Sequence, residues 1–156
     1  MSELSLFLSL NVCNGWNRFR LWIGVGMSES TLTKQGERTR RNVLGDAHVD
    51  RKAREANSFD KRFQELITDS AWGHVWSGKQ FSLRERSIVT IALLAASGHD
   101  EELAMHIRAT ANTGASRDDI SEALMHVAIY AGVPAANHAI TIAKEIFVDQ
   151  DAQASR

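Results

Sequence analysis

The hydrophobic and polar residues after residue 32 follow helical spacing, with no strand period. Residues 33–44 are strongly charged and predict a helix that ends at Gly45. A basic cluster of this kind is usually a solvated helix face, with phosphate or carboxylate binding as the less common alternative. Four apolar residues then recur at intervals of three and four: Phe59, Phe63, Leu66 and Ile67. They predict the buried stripe of a further helix, which Ser58 can cap.

Capping signals divide the second half of the chain into four helices. Two Ser-x-x-acid patterns predict helix starts: Ser82 with Glu85, and Ser116 with Asp119. Three glycines predict helix ends: Gly98, Gly114 and Gly132. Residues 88–96 are apolar apart from Thr90, which predicts a central helix buried on every side. The predicted inward residues of the last three helices are Leu103, Ile107 and Ala111, then Ile120, Leu124 and Val127, then Ile142, Ile146 and Phe147.

Two segments of the first half lack a helical period. Residues 45–51 are polar and predict a loop, and residues 71–76 predict a short aromatic turn after a helix that ends near Asp69. The elements together predict an all-α fold, a compact bundle of about six or seven helices. Many inward positions are alanine, and so much helical surface in a short chain favours an oligomer.

Composition narrows the class of protein. The chain has 156 residues, 44% hydrophobic and 24% charged, which is typical of a globular domain and disfavours disorder. The 18 basic and 19 acidic residues give a net charge of −1, so there is no basic field for nucleic acid. A single cysteine, Cys13, excludes an intramolecular disulfide, a CxxC redox pair and a thiolate zinc site. No apolar run approaches the roughly 20 residues of a membrane span.

Residues 1–26 differ from the rest of the chain. They contain Cys13 and two tryptophans but no sustained helical period. Polar residues interrupt the segment, whereas a secretory signal has an unbroken apolar centre. We interpret them as a non-native upstream extension or a poorly ordered tail, with an amphiphilic arm that packs on a partner as the alternative. Residues 27–156 are then expected to form one domain, and the polar segment that starts at Met27 is typical of a cytoplasmic protein.

Glu102 and His106 are the leading candidates for chemistry. Spaced i, i+4, they share one face of a predicted helix. A carboxylate in that position can hold the tautomer of an imidazole and raise its pKa, which prepares the ring for proton transfer. His99, one turn earlier, is expected at the mouth of the same face. The alternative is a surface helix pair worth roughly a few tenths of a kcal/mol.

A second pair, Glu122 and His126, repeats this spacing on the next helix and raises the question of a metal site. Di-iron carboxylate bundles use Glu-x-x-His, spaced i, i+3, so the spacing here is wrong and no metal is expected. Phosphate-binding glycine loops, nucleophile elbows and HExxH motifs are absent from the sequence.

Five stretches in order resemble the carboxymuconolactone decarboxylase family. They are VLGDAHVDR, ITDSAWGHVW, LRERSIVTIALLAA, EELAMHIRATANTGASRDDISEALMH and AIYAGVPAANHAITIAKEIF, within about residues 38–147. The first two are similar to the 4-carboxymuconolactone decarboxylase branch. The wider superfamily includes the alkyl hydroperoxidase D type, with a CxxC pair and a following histidine. This chain has His99 and Glu102 at the cysteine positions and His106 at the histidine position. The resemblance thus implies that fold without thiol chemistry.

The resemblance implies decarboxylation of 4-carboxymuconolactone to 3-oxoadipate enol-lactone in the protocatechuate branch of the β-ketoadipate pathway. The departing carboxylate lies next to the conjugated double bond of the lactone, so the substrate carries its own electron sink. Neither an organic cofactor nor a metal is therefore required. The alternatives are a related lactone decarboxylase, a hydroperoxidase-like relative, and a non-catalytic helical stress or binding protein of the same fold.

The resemblance also suggests roles for particular residues. His106 is expected to donate a proton or stabilise the developing oxyanion, with Glu102 orienting it. Arginine suits the planar substrate carboxylates best. The candidate substrate-binding residues are Arg86, Arg108, His48, Arg51, Tyr130 and His99. Family members are typically multimeric, so a homo-oligomer is expected, with a hexamer as the first candidate, and neither nucleic acid nor membrane as a partner.

Overall fold

The computed structural model describes residues 29–155, with side chains from residue 31 onward. The elements in chain order are α1 (Glu29–Leu44), α2 (Asp46–Glu55), α3 (Lys61–Ile67), a π-helical segment (Thr68–Trp76), α4 (Leu83–Ser97), α5 (Asp100–Thr113), α6 (Arg117–Tyr130) and α7 (Val133–Ala154). No strand occurs within these residues, which confirms the all-α prediction. The predictions for residues 1–26 lie outside the described residues, and the single domain over residues 27–156 stays a prediction.

The last four helices form the main hydrophobic core. α4 packs against α5 and α6, and α7 packs against α5 and α6 and also contacts α4. The largest buried side chains here are Ile91 of α4, Leu103 and Ile107 of α5, Ile120 and Leu124 of α6, and Ile146 of α7. Both predicted capping boxes are formed, at Ser82 and at Ser116. They fix where α4 and α6 begin because they satisfy N–H groups that have no partner inside the helix.

A second core cluster joins α1, the π-helical segment and α5. Its buried residues are Val43, Trp72, Trp76 and Ala109. α1 lies very close to the π-helical segment at Gly36, where an added Cβ would be 2.2 Å from the carbonyl oxygen of Thr68. Asn112 of α5 donates from Nδ2 to the carbonyl oxygen of Val43 at 2.9 Å. These contacts hold the two tryptophans against the middle of α5.

The predicted loop over residues 45–51 is wrong, because α2 begins at Asp46. Gly45 turns the chain with a φ of +82°, a value that favours glycine, and a new helix starts at once. Val49 is the buried residue of α2, so the segment has no apolar period to detect. Two ion pairs hold α2 on α1 instead: Arg41 Nη1 lies 3.1 Å from Asp46 Oδ1 and 2.8 Å from Asp50 Oδ1.

The predicted aromatic turn over residues 71–76 is also wrong. α3 continues into the π-helical segment Thr68–Trp76 without a break. The wider winding brings Trp72 and Trp76 into the core together, and Thr68 and Gly73 are buried with them. Single π-turns within α-helices are more usual than a full segment, and they are frequently found at functional sites.

Several apolar side chains predicted to be buried are exposed. The stripe after Ser58 is on the surface, with Phe59 at 96% of its full exposure and Phe63 and Leu66 also exposed. α4 is not buried on every side, because Val89 and Leu93 face outward, and Ala111 of α5 is exposed as well. The helical spacing of these residues does not specify whether their stripe contacts another helix of the same chain. Within residues 29–155 no helix has the length and apolar character to cross a bilayer.

Candidate active site

His106 lies in an aromatic cluster on the inner face of α5. Its ring centroid is 6.2 Å from that of Trp72 and 5.5 Å from that of Trp76, with interplanar angles of 17° and 14°. The two indoles are themselves 5.3 Å apart, so the three rings form a triangle rather than a stack. His106 is 6% exposed and is one of the few buried polar residues of the described chain. Its position is therefore fixed by packing.

Burial determines the charge of His106. Desolvation lowers the pKa of His106 to about 4, because an imidazolium ion loses its hydration there. The charge of Glu102 acts in the opposite direction and that of His48 in the same direction, both more weakly. The ring is therefore neutral at physiological pH. Nδ1 is buried and has no hydrogen-bond partner among the described residues.

Glu102 is placed one turn before His106 on α5, as the spacing predicts, but in a different environment. It is exposed, and no hydrogen bond between the two side chains is present in the described structure. The predicted upward effect on the pKa of His106 exists, yet the larger effect of burial exceeds it. Glu102 thus acts on the ring through space.

A cleft of about 950 Å³ opens between α2 and α5 beside this cluster. Four predicted site residues line it: His48, Arg51, Glu102 and Arg108. Lys52, Glu101 and Asn112 add further polar groups to its wall. Leu44 and Ala109 line the cleft and also belong to the core cluster of Trp72 and Trp76. His106 itself is buried and is not among the residues that line the cleft. The volume is ample for a small organic acid.

His48 and Arg51 form a pair on the α2 side of the cleft. Arg51 Nη2 is 3.2 Å from His48 Nδ1, and since a guanidinium only donates, Nδ1 accepts. The proton of neutral His48 is then assigned to Nε2. Burial lowers the pKa of His48, and the positive charges of Arg51, Arg40 and Lys52 lower it further. The α2 wall therefore combines a neutral imidazole with several fixed positive charges.

The other three predicted substrate-binding residues do not line this cleft. Arg86 donates from Nη1 to the carbonyl oxygen of Val75 at 2.6 Å and borders a separate cavity of about 130 Å³. Tyr130 is exposed and stacks on His126, with centroids 6.1 Å apart. His99 is exposed at the start of α5. No group of three or more His, Cys, Asp or Glu side chains that could hold a metal ion occurs among residues 29–155.

Sequence reasoning missed the two tryptophans as site residues. Trp72 and Trp76 are four positions apart, a spacing that would have placed them on one helix face had residues 71–76 been predicted as helix. It also missed Arg40, which belongs to the basic cluster interpreted as a solvated face. Arg40 is half-buried, and nothing in the pattern of charges along α1 distinguishes it from Arg38 or Arg41.

The chain matches the model of the Carboxymuconolactone decarboxylase family over residues 61–145. It is 43% identical over 123 residues to the 4-carboxymuconolactone decarboxylase of Acinetobacter baylyi, covering 79% of this chain and 92% of that protein. It is 34% identical over 118 residues to the nitrosuccinic acid decarboxylase npaB of Metarhizium robertsii, covering 76% of this chain and 82% of that protein. A 4-carboxymuconolactone decarboxylase of Pseudomonas putida is 49% identical over 47 residues, which are 30% of this chain and 98% of that sequence.

Proposed function

The chain belongs to the carboxymuconolactone decarboxylase family, and on that premise we propose that it converts 4-carboxymuconolactone to 3-oxoadipate enol-lactone and carbon dioxide. The observation that carries the proposal is the similarity to the Acinetobacter baylyi enzyme, because it extends over 92% of that protein. The cleft between α2 and α5 supports the same activity, since basic side chains at its wall suit a small dicarboxylate.

The reaction needs little beyond correct placement of charges. The bond between the ring carbon and the departing carboxylate breaks, and its electron pair moves through the ring double bond to the lactone carbonyl oxygen. Carbon dioxide leaves, and a proton adds to carbon to give the enol-lactone. Because the substrate accepts these electrons itself, the protein has to bind the carboxylates, stabilise the oxyanion and supply the proton.

His106 is proposed as the residue that stabilises the oxyanion. A neutral imidazole can donate one N–H hydrogen bond to the carbonyl oxygen as negative charge develops there. The lowered pKa keeps His106 in this neutral form at physiological pH. A single prepositioned donor of this kind lowers the activation barrier by about 2.7–4 kcal/mol. Glu102 is proposed to tune the ring through its charge, which raises the pKa of His106 against the larger effect of burial.

The dicarboxylate substrate is proposed to be attracted into the cleft by the basic groups of its walls. Arg51 and Arg108 lie on opposite walls, on α2 and α5, and His48 stands beside Arg51. Substrate binding by Arg86, Tyr130 and His99 remains a prediction. It would require a site other than this cleft, such as one that a second subunit completes.

Assembly and location form the finer part of the proposal. A homo-oligomer is supported by exposed large apolar side chains: Phe59 in the turn before α3, Phe63 and Leu66 on α3, and Leu93 on α4. A hexamer remains the first candidate for its size. A cytoplasmic location is favoured by the polar segment that follows Met27.

The similarity to a nitrosuccinic acid decarboxylase supports a second candidate substrate. Nitrosuccinic acid is also a dicarboxylic acid, and its nitro group can accept the electrons of the departing carboxylate. The identity and the coverage are both lower than for the Acinetobacter baylyi enzyme, so the lactone is the first choice.

The test is incubation of the purified protein with 4-carboxymuconolactone, followed by loss of substrate absorbance and release of carbon dioxide. Turnover that persists in excess EDTA is expected. Nitrosuccinate in a parallel reaction serves as the comparison. Turnover of nitrosuccinate but not of 4-carboxymuconolactone would replace the first candidate substrate by the second. Inactivity towards both would favour a binding protein of this fold.

A further inference from the structure

Arg40 of α1 is a half-buried cation that lacks a carboxylate partner among the described residues. Its Nη1 and Nη2 atoms donate to one neutral acceptor, Gln64 Oε1, at 3.4 and 3.5 Å. Both distances are at the upper limit of a hydrogen bond. The Nε atom is buried and has no hydrogen-bond partner in the described structure. Burial partly desolvates the guanidinium, and this lowers the pKa of Arg40.

Three other arginines bind carboxylates. Arg41, the next residue, binds the carboxylates of Asp46 and Asp50. Arg84 and Arg117 bind Asp119 and Asp151, each through two nitrogen atoms. Arg86 shares with Arg40 a buried Nε that has no partner in the described structure, but it borders a separate cavity. A cation that is partly removed from water and has no counter-ion is unfavourable. Arg40 therefore has the character of a cation that is completed by an anion from outside the described chain.

The position of Arg40 connects it to the cleft. It lies one helical turn before Leu44, and residues four apart share a face of a helix. Leu44 lines the cleft between α2 and α5. His48 also lines the cleft, and the charge of Arg40 contributes to lowering the pKa of His48. Arg40 itself is not among the residues that line the cleft. An anion held by Arg40 would thus be at the α1 end of the same cleft.

We propose that Arg40 binds the carboxylate that the substrate retains, an inference that rests on the proposed function. The two carboxylates of 4-carboxymuconolactone make opposite demands. A guanidinium on the departing carboxylate would stabilise the bound substrate more than the transition state, because that charge moves away. The retained carboxylate belongs to the acetate side chain, and its charge does not change during the reaction. A strong ion pair with it therefore binds and orients the substrate without opposing the reaction.

Arg40→Gln tests this assignment in the full-length protein. Arg38→Gln is the matched control, since Arg38 is an exposed residue of the same helix. The KM for 4-carboxymuconolactone should rise about 10- to 100-fold in Arg40→Gln, with a much smaller change in kcat. The Kd of the lactone that carries the acetate side chain but no ring carboxylate, measured by calorimetry, should rise by a similar factor. Arg38→Gln should match the wild type in both.

A purely structural role for Arg40 predicts a different pattern. The same lactone with its acetate group converted to a neutral amide should bind the wild type weakly, and Arg40→Gln with an equal Kd. If Arg40→Gln distorted the cleft, the Kd of this amide would instead be higher for the variant than for the wild type. Arg40→Lys keeps the charge and should give an intermediate Kd, which preserves the test if the glutamine variant does not fold. An unchanged Kd for the mono-acid lactone in the Arg40 variants overturns the inference, even if the wild type decarboxylates 4-carboxymuconolactone. An inactive wild type instead overturns the proposed function, while the calorimetry still decides the role of Arg40.

Discussion

Acid titration of His106 gives the sharpest physical test of the site. The pKa of His106 is lowered to about 4 in the folded protein, from the ordinary value of 6.5 that applies when the chain unfolds. Between these two values the unfolded chain binds a proton that the folded protein does not. The free energy of unfolding must therefore fall as the pH falls from 6.5 towards 4, and the contribution of His106 is fully present only above 6.5.

The size of this effect follows from the two pKa values. Integrating the proton linkage between about pH 7 and about pH 4.5 gives a loss of about 2 kcal/mol from His106 alone. His106→Gln removes the titrating ring while keeping a side chain of similar size. Its own loss of stability over the same interval should thus be smaller than that of the wild type by about 2 kcal/mol.

Urea denaturation of both proteins at the two pH values measures this difference. Comparing each protein with itself cancels any change in absolute stability that the substitution causes. His48, whose pKa is also lowered, titrates in both proteins and cancels as well. His74→Gln is the control, because His74 is exposed on the π-helical segment, and it should retain the full wild-type slope. Equal slopes in His106→Gln and wild type would refute the claim that the folded protein holds this ring neutral.

Two further predictions concern the scaffold that positions the site. Gly36→Ala places a Cβ 2.2 Å from the carbonyl oxygen of Thr68, so α1 must move from the π-helical segment. We expect a loss of about 1–3 kcal/mol in thermal or urea unfolding, and wild-type stability would contradict the close approach. Thr113→Val leaves the buried hydroxyl of Ser87 without its 2.7 Å partner and should cost about 1–3 kcal/mol. Adding Ser87→Ala should recover part of that loss, and strictly additive losses would argue against this hydrogen bond.

Local signals in the sequence were sufficient for the helices of the second half. The capping boxes at Ser82 and Ser116 act over three residues, so their geometry is present in the sequence itself. α2 could not be predicted in this way, because Val49 is its buried residue and its ion pairs are made with another helix. Exposure of Phe59 and Phe63 was missed for a related reason, since a stripe specifies a face but not what covers it.

The site shows the same division between local and long-range information. Glu102 and His106 share a face because both are on α5, which spacing alone predicts. The low pKa of His106 depends on Trp72 and Trp76, which belong to a π-helical segment about thirty residues earlier. Their contact with α5 depends on the packing of α1, so no pattern within a single segment reveals it.

Steady-state decarboxylation of 4-carboxymuconolactone by wild type and His106→Gln tests the central claim most directly. The account predicts measurable turnover by the wild type and a kcat lowered about 10²–10³-fold in His106→Gln, the loss expected for one prepositioned oxyanion donor. Circular dichroism should show an unchanged helical content, and His74→Gln should retain the wild-type rate. A His106→Gln protein that decarboxylates the lactone at nearly the wild-type rate would contradict the role of His106.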